Sequence, residues 1–330
     1  MNAQRGKVSP AAGRRALLGV ALAIAVSVGC DTRETRQEDA GVPASPSASV
    51  GRRPRPLVLY LPDGGDIAPD PRPPLAPLPS RLDATRRCPP EMVDIAGRFC
   101  IDRYEASLVD RDTGRVLSPY YPPDVALSRS LFQRYRPLAH QQGHSSELEV
   151  PPLEQWQLTA SFEPMARSAA SVVPSAYLSA LVARRTCEAA GKRLCQPQEW
   201  TQACRGERDT RFPYGDQYVH GTCNVFRESH PAAWLHGNAS VHHLDPRLNL
   251  VAPEGRLLLA ATGAHPGCRS VWGDDAVYDM VGNLDEWVED EEGSFHGGFY
   301  ARSTRQGCAA RIASHAPSYF DYSLGTRCCL

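Results

Sequence analysis

Eleven cysteines mark this chain, and their number and placement constrain its fold more than any other feature. Cys30 closes an apolar run near the N-terminus, and the other ten lie between Cys88 and Cys329. An even set of ten pairs completely. Exported proteins meet an oxidising compartment, so the expected outcome is a disulfide framework that staples a domain too irregular to hold itself together. A zinc site is the competing use of cysteine. No two cysteines stand with just two residues between them, which argues against it.

The N-terminus supports the oxidising address. Arg5, Lys7, Arg14 and Arg15 precede an apolar stretch from Leu17 to Val28, too short to span a bilayer comfortably. Ser27-Val28-Gly29-Cys30 then resembles a bacterial lipobox, with Cys30 as the lipidated first residue of the mature chain. Residues 1–30 are expected to be a lipoprotein signal peptide. An ordinary signal peptide cleaved nearby is the alternative. The expected address is the bacterial cell envelope, lipid-anchored, with the membrane as one partner and an envelope protein or small ligand as another. The net charge of -1 leaves no general basic footprint for nucleic acid.

Residues 31–87 are crowded with Pro, Arg, Asp and Ser and show little apolar periodicity. They read as a disordered tether. The folded domain is expected over 88–330. Met92 to Ile95 and Phe99 to Asp102 flank an Ala96-Gly97 turn in a hairpin pattern, and a Cys88–Cys100 bond across it is plausible. Residues 109–173 read as irregular. Pro174-Ser175 is expected to open a helix that runs to Ala190 and stops at Gly191, with Ser175 as cap. A second helix is expected over 198–204, with Pro197 in its first turn.

Several motifs occur in a fixed order. They are Cys100 to Glu105, Cys187 to Leu194 with Glu199-Trp200, Arg211 to Asp216, and Cys223-Asn224. Tyr278-Asp279-Met280-Val281-Gly282-Asn283-Leu284-Asp285-Glu286-Trp287 comes next, then Gly297-Gly298, Cys308-Ala309-Ala310-Arg311 and Leu324 to Cys328. The ordered set resembles the formylglycine-generating enzyme family, the sulfatase-modifying factors. The resemblance implies an α+β domain with low regular secondary structure, distantly like C-type lectins and stapled by disulfides. It also implies the bonds Cys187–Cys328 and Cys204–Cys308. Cys195, Cys223, Cys268 and Cys329 remain open, with Cys223–Cys268 and Cys195–Cys329 favoured.

The resemblance further implies structural calcium, which takes hard oxygen ligands. Carried over, Asp279 and Glu286 offer carboxylates, and Gly282 and Leu284 offer carbonyls. A second set begins with Asn224 and Val225. Asp285 stands where the family usually has an aromatic, so packing there is expected to differ.

Active members of the family oxidise a substrate cysteine with copper held by two thiolates, which soft Cu(I) selects. Those thiolates fall between the Gly-Gly and Cys-Ala-Ala-Arg motifs. Here Phe299 to Gly307 contains no cysteine, Phe299 replaces a serine, and His296 stands where arginine is usual. No copper and no catalytic residue are expected. The leading expectation is a non-catalytic lipoprotein that binds a protein or small ligand. The alternative is an oxidoreductase or metal-dependent enzyme on the same scaffold, using His296 with the loop histidines His220, His230, His236, His242 and His243. Ser303 with His296 or His315 lacks the pattern of a nucleophile elbow. Phe299, Tyr300, Tyr319, Phe320 and Tyr322 suit either an aromatic binding surface or core packing.

Overall fold

The computed structural model describes residues 88–137, 144, 147–302 and 304–330. The chain divides into a unit Met1–Asp70 and a unit Pro71–Leu330, and the described residues belong to the second. The expected signal peptide, Cys30, the tether and Ser303 lie outside the described residues.

The hairpin forms as expected. Strands β1 (Met92–Ile95) and β2 (Phe99–Asp102) pair antiparallel, and Gly97 sits in the left-handed conformation that the tight turn requires. Cys88 and Cys100 are bonded beside it. Residues 109–173 hold more structure than expected. Strand β3 (Ala106–Asp110) pairs with β4 (Pro164–Ser168), and helices α1 (Val125–Tyr135) and α2 (Gln155–Thr159) lie between them in sequence. Helix α1 had a local signal: Asp124 caps it, accepting a hydrogen bond from the Leu127 amide at 2.8 Å.

Helix α3 (Ala180–Ala189) begins later than the sequence suggested. Ser179, not Ser175, is the cap. The amides of Ser175, Ala176, Tyr177 and Leu178 bond instead to Ala106, Pro119, Asp321 and Leu324. Those distant carbonyls draw the segment away from helix, and Tyr177 is left-handed at φ 61°. Strand β5 (Arg193–Leu194) and helix α4 (Pro197–Arg205) follow, with Pro197 in the first turn of α4 as expected. Helix α5 (Pro231–His236) precedes the hairpin of β6 (Arg269–Trp272) and β7 (Asp275–Tyr278). Strands β8 (Asp285–Trp287), β9 (Phe295–His296), β10 (Arg311–Ile312), β11 (Leu324–Thr326) and β12 (Cys328–Cys329) complete the chain.

Two four-stranded sheets organise these elements, in the orders β1-β2-β12-β5 and β10-β9-β8-β11. Alternate residues of a strand face opposite sides, and β12 uses this to join two cores. Cys329 lies with Val93, Ile101, Trp200 and Met280 in one cluster, and Cys328 lies with Leu194, Trp287, Phe295 and Leu324 in another. Cys187–Cys328 therefore staples one face of β12 and Cys195–Cys329 the other. Cys204–Cys308 and Cys223–Cys268 complete five bonds, so every cysteine from 88 to 330 is paired, and the structure settles the four whose partners were open in favour of Cys195–Cys329 and Cys223–Cys268. Sequence separations of 141 and 134 residues place the two β12 bonds where closing the loop contributes about 4–5 kcal/mol each in the chain-entropy view.

Candidate functional site

The acidic turn from Asp279 to Glu286 is the polar centre of the domain. Gly282 has φ 86°, and a Cβ built on it would lie 2.2 Å from the Asn224 carbonyl oxygen. Only glycine allows this approach. The next residue, Asn283, spends its whole amide inside the protein. Its Oδ1 accepts from Asn224 Nδ2 at 2.8 Å and the Ala260 amide at 3.0 Å. Its Nδ2 donates to Glu105 Oε2 at 2.5 Å and the Ala260 carbonyl at 3.2 Å. The other Glu105 oxygen accepts the Leu284 amide at 3.0 Å.

Glu286 is held by three donors. Arg327 reaches Oε1 through Nη2 and Oε2 through Nε, and Trp200 donates its indole N–H to Oε2, each at 2.6 Å. Asp279 Oδ2 accepts the Gly263 amide at 2.7 Å. Glu286 pairs with the fully buried guanidinium of Arg327, and Glu105 and Asp279 lie near enough for their charges to act on it. Burial first, then the charges of Asp279 and Glu286, push the Glu105 carboxyl well above its usual range. Burial likewise pushes Asp279 up to about 6. In the sequence, Glu105 and Arg327 stand out only as members of the ordered motifs Cys100 to Glu105 and Leu324 to Cys328. Nothing local in the chain marks either as part of this cluster.

Three acidic side chains share one arginine here, and the raised pKa values of Glu105 and Asp279 show how the excess negative charge is relieved. Asp279, Glu286 and the carbonyls of Gly282 and Leu284 are the oxygens that would hold a hard divalent cation here. An ionised carboxylate has about four acceptor sites, and Glu286 uses three. Among the described residues no group of three or more His, Cys, Asp or Glu side chains is arranged as a metal cage. Asn224 has neutral surroundings: its Nδ2 also donates to the Leu258 carbonyl at 2.8 Å, and its own carbonyl accepts the Asn283 amide at 2.8 Å. The Val225 amide donates to the Cys223 carbonyl at 3.0 Å.

The segment after Gly297-Gly298 is packed. Phe299, Tyr300 and Tyr322 are buried, and Phe299 meets the other two edge-on at 5.3 and 5.7 Å between ring centres. The Tyr300 hydroxyl donates to Asn249 Oδ1 at 2.9 Å. Arg302 lies over Phe299 and Phe295 and pairs with Asp285 through two contacts of 2.9 Å. Burial pushes Asp285 up to about 7 although Arg302 pulls it down. The aromatic residues at 299, 300 and 322 therefore belong to the core, while Tyr319 and Phe320 are half-buried. Asp285, in place of an aromatic, makes a buried ion pair with Arg302. With every cysteine from 88 to 330 in a disulfide, no thiolate is left in this region, and the donor set does not suit soft Cu(I).

The loop histidines have separate partners. His236 contacts Asp245 at 2.9 Å, His230 contacts the Tyr322 hydroxyl at 3.1 Å, and His243 contacts the Ala239 carbonyl at 2.8 Å. His242 packs against His236, and His220 is exposed beside Tyr218. His296 packs against Trp200.

Comparison with known proteins bears on this arrangement. Residues 133–330 match the family described as the sulfatase-modifying factor enzyme 1-like domain. No functionally curated protein matches the chain. Among solved structures, "Crystal Structure of CarF" aligns at 13% identity and TM-score 0.34, covering 70% of this chain and 85% of that one. "Structure of PvdO from Pseudomonas aeruginosa" aligns at 14% identity and TM-score 0.33, covering 70% and 79%. The matched region takes in more than half of the chain, including the acidic turn, Gly297-Gly298 and the C-terminal cysteines. The chain belongs to the family of the sulfatase-modifying factor enzyme 1-like domain.

Proposed function

We propose that this protein is a non-catalytic member of its family, held at the bacterial envelope by lipid on Cys30, whose domain binds a protein or small ligand. The state of its sulfur carries the reading. All ten cysteines of the domain are in disulfides, and the interval 299–307, where the family's thiolates fall, holds none. Within that interval Phe299 and Tyr300 pack into the core and Arg302 pairs with Asp285. Calcium on Asp279, Gly282, Leu284 and Glu286 has a structural part in this reading: it balances buried charge and holds the acidic turn.

The test is alkylation of the native, oxidised full chain followed by peptide mapping, together with oxygen consumption in the presence of copper and a cysteine-containing peptide. The expected result is no alkylated residue within 88–330 and no consumption above the copper-only rate. Two alkylated neighbouring cysteines, or turnover that saturates with peptide, would sink the reading.

A further inference from the structure

Beyond that reading, we infer that the groove along the outer face of α4 is a binding site for a neutral saccharide. The groove has a volume of about 800 Å³, within the usual size of small-molecule sites. Gln198, Gln202 and Arg205 of α4 form one side. Trp272 of β6 and the neighbouring pair His296 and Arg311 of β9 and β10 form the others.

His296 is only 4% exposed, yet neither of its ring nitrogens has a hydrogen-bond partner, and neither does Nε of Arg205. Buried polar atoms are seldom left unpaired, because each costs about 1–3 kcal/mol. An imidazole is neutral at ordinary neutral pH, with one nitrogen donating and the other accepting. The unmet groups are thus two donors and one acceptor on side chains that line one groove, each atom buried beneath its surface. A hydroxyl both donates and accepts, so a polyol matches all three. An ionised carboxylate only accepts and would leave the imidazole lone pair unmatched, whereas inorganic phosphate keeps a P–OH donor at neutral pH and is disfavoured by the charge of the lining instead. An ammonium only donates and would leave the N–H groups unmatched.

The charges of the lining agree. Arg205 and Arg311 are offset by Glu207 and Asp209 in the same groove, and Arg205 Nη1 already pairs with Asp209 at 3.0 Å. No net field favours an ion. The Trp272 indole N–H is spent on the Ala203 carbonyl at 3.1 Å, so this buried residue presents carbon rather than a donor to the groove. The half-buried and exposed amides of Gln202 and Gln198 supply further paired donors and acceptors.

The experiment is titration calorimetry of the full chain with chitotriose, cellotriose and maltotriose at millimolar concentration, with inorganic phosphate as the ionic probe. At least one trisaccharide is expected to bind with one-to-one stoichiometry, and phosphate is not. Gln202→Ala and His296→Phe are each expected to weaken that binding about tenfold, a shift of 1.4 kcal/mol. Gln198→Ala with Gln202→Ala should leave the thermal midpoint unchanged, so the affinity loss is read on folded protein. The inference is overturned if no trisaccharide binds, if phosphate binds in their place, or if the α4 substitutions leave affinity intact. Such a failure leaves the sulfur result standing, because alkylation reads the cysteines and calorimetry reads the groove.

Discussion

Arg327 grips Glu286 with two hydrogen bonds of 2.6 Å, one to each carboxylate oxygen, and each residue is 1% exposed. The same guanidinium donates to the carbonyls of Tyr278 at 2.9 Å and Asp102 at 3.2 Å, and Trp200 of α4 donates to the same carboxylate. The pair thus ties β8, the entry to β12, β2 and α4 to one point. Replacing Arg327 with Met strands a buried carboxylate and should cost about 3–5 kcal/mol. The double change Arg327→Met with Glu286→Leu should cost less than Arg327→Met alone, since no charge is left unpaired. Urea unfolding of the oxidised protein compares the two.

Gly282→Ala meets a direct obstacle. The new Cβ would sit 2.2 Å from the Asn224 carbonyl oxygen at a φ of 86°. Gly191 is a matched control, with φ 71° and nothing within 4 Å. Gly191→Ala should cost about 1–2 kcal/mol from backbone conformation alone. Gly282→Ala should cost more than about 3 kcal/mol, because strain and clash add. Equal costs in denaturant titrations would show that the turn yields more easily than the packing around it implies.

His296 makes stability depend on acid. Burial first, then the charge of Arg311, lower its pKa from 6.5 to about 4. The unfolded chain therefore binds the proton more readily between those values. The contribution is complete above about pH 6.5 and is lost as pH falls through about 4, amounting to about 3 kcal/mol. The difference in unfolding free energy between wild type and His296→Gln should shrink by about that amount from neutral pH to pH 4. A difference that stays constant would mean that the imidazole charges freely in the fold.

Chelation tests the acidic turn. If calcium sits on Asp279, Gly282, Leu284 and Glu286, adding it to chelator-treated protein should raise the thermal midpoint. At a hundredfold excess over Kd the gain is about 2.7 kcal/mol. Asp279→Ala should abolish the response while leaving the five disulfides intact. A calcium response that survives Asp279→Ala would place the ion elsewhere.

Much of this protein is local or covalent and could be read directly from its residues. The hairpin at Ala96-Gly97, the Pro197 start of α4 and the ordered motifs from Cys100 to Cys328 depend on neighbours in sequence, and so they were legible. Cys88–Cys100 followed from the hairpin and Cys187–Cys328 and Cys204–Cys308 from the family order, while packing decided the other two pairs. Distance in sequence hid the rest. Ser175 looks like a helix cap, but its amide bonds to Ala106, and the helix waits for Ser179. Glu105 becomes part of the acidic turn only because the fold brings it to Asn283, 178 residues away. Phe299 could be surface or core until Tyr300 and Tyr322 close around it, and the groove of α4 exists only once β6, β9 and β10 stand beside that helix. Backbone propensity and covalent bonds act over short stretches or between fixed partners. Which buried charge meets which, and where a cavity opens, is decided by packing among segments that meet only in the folded chain.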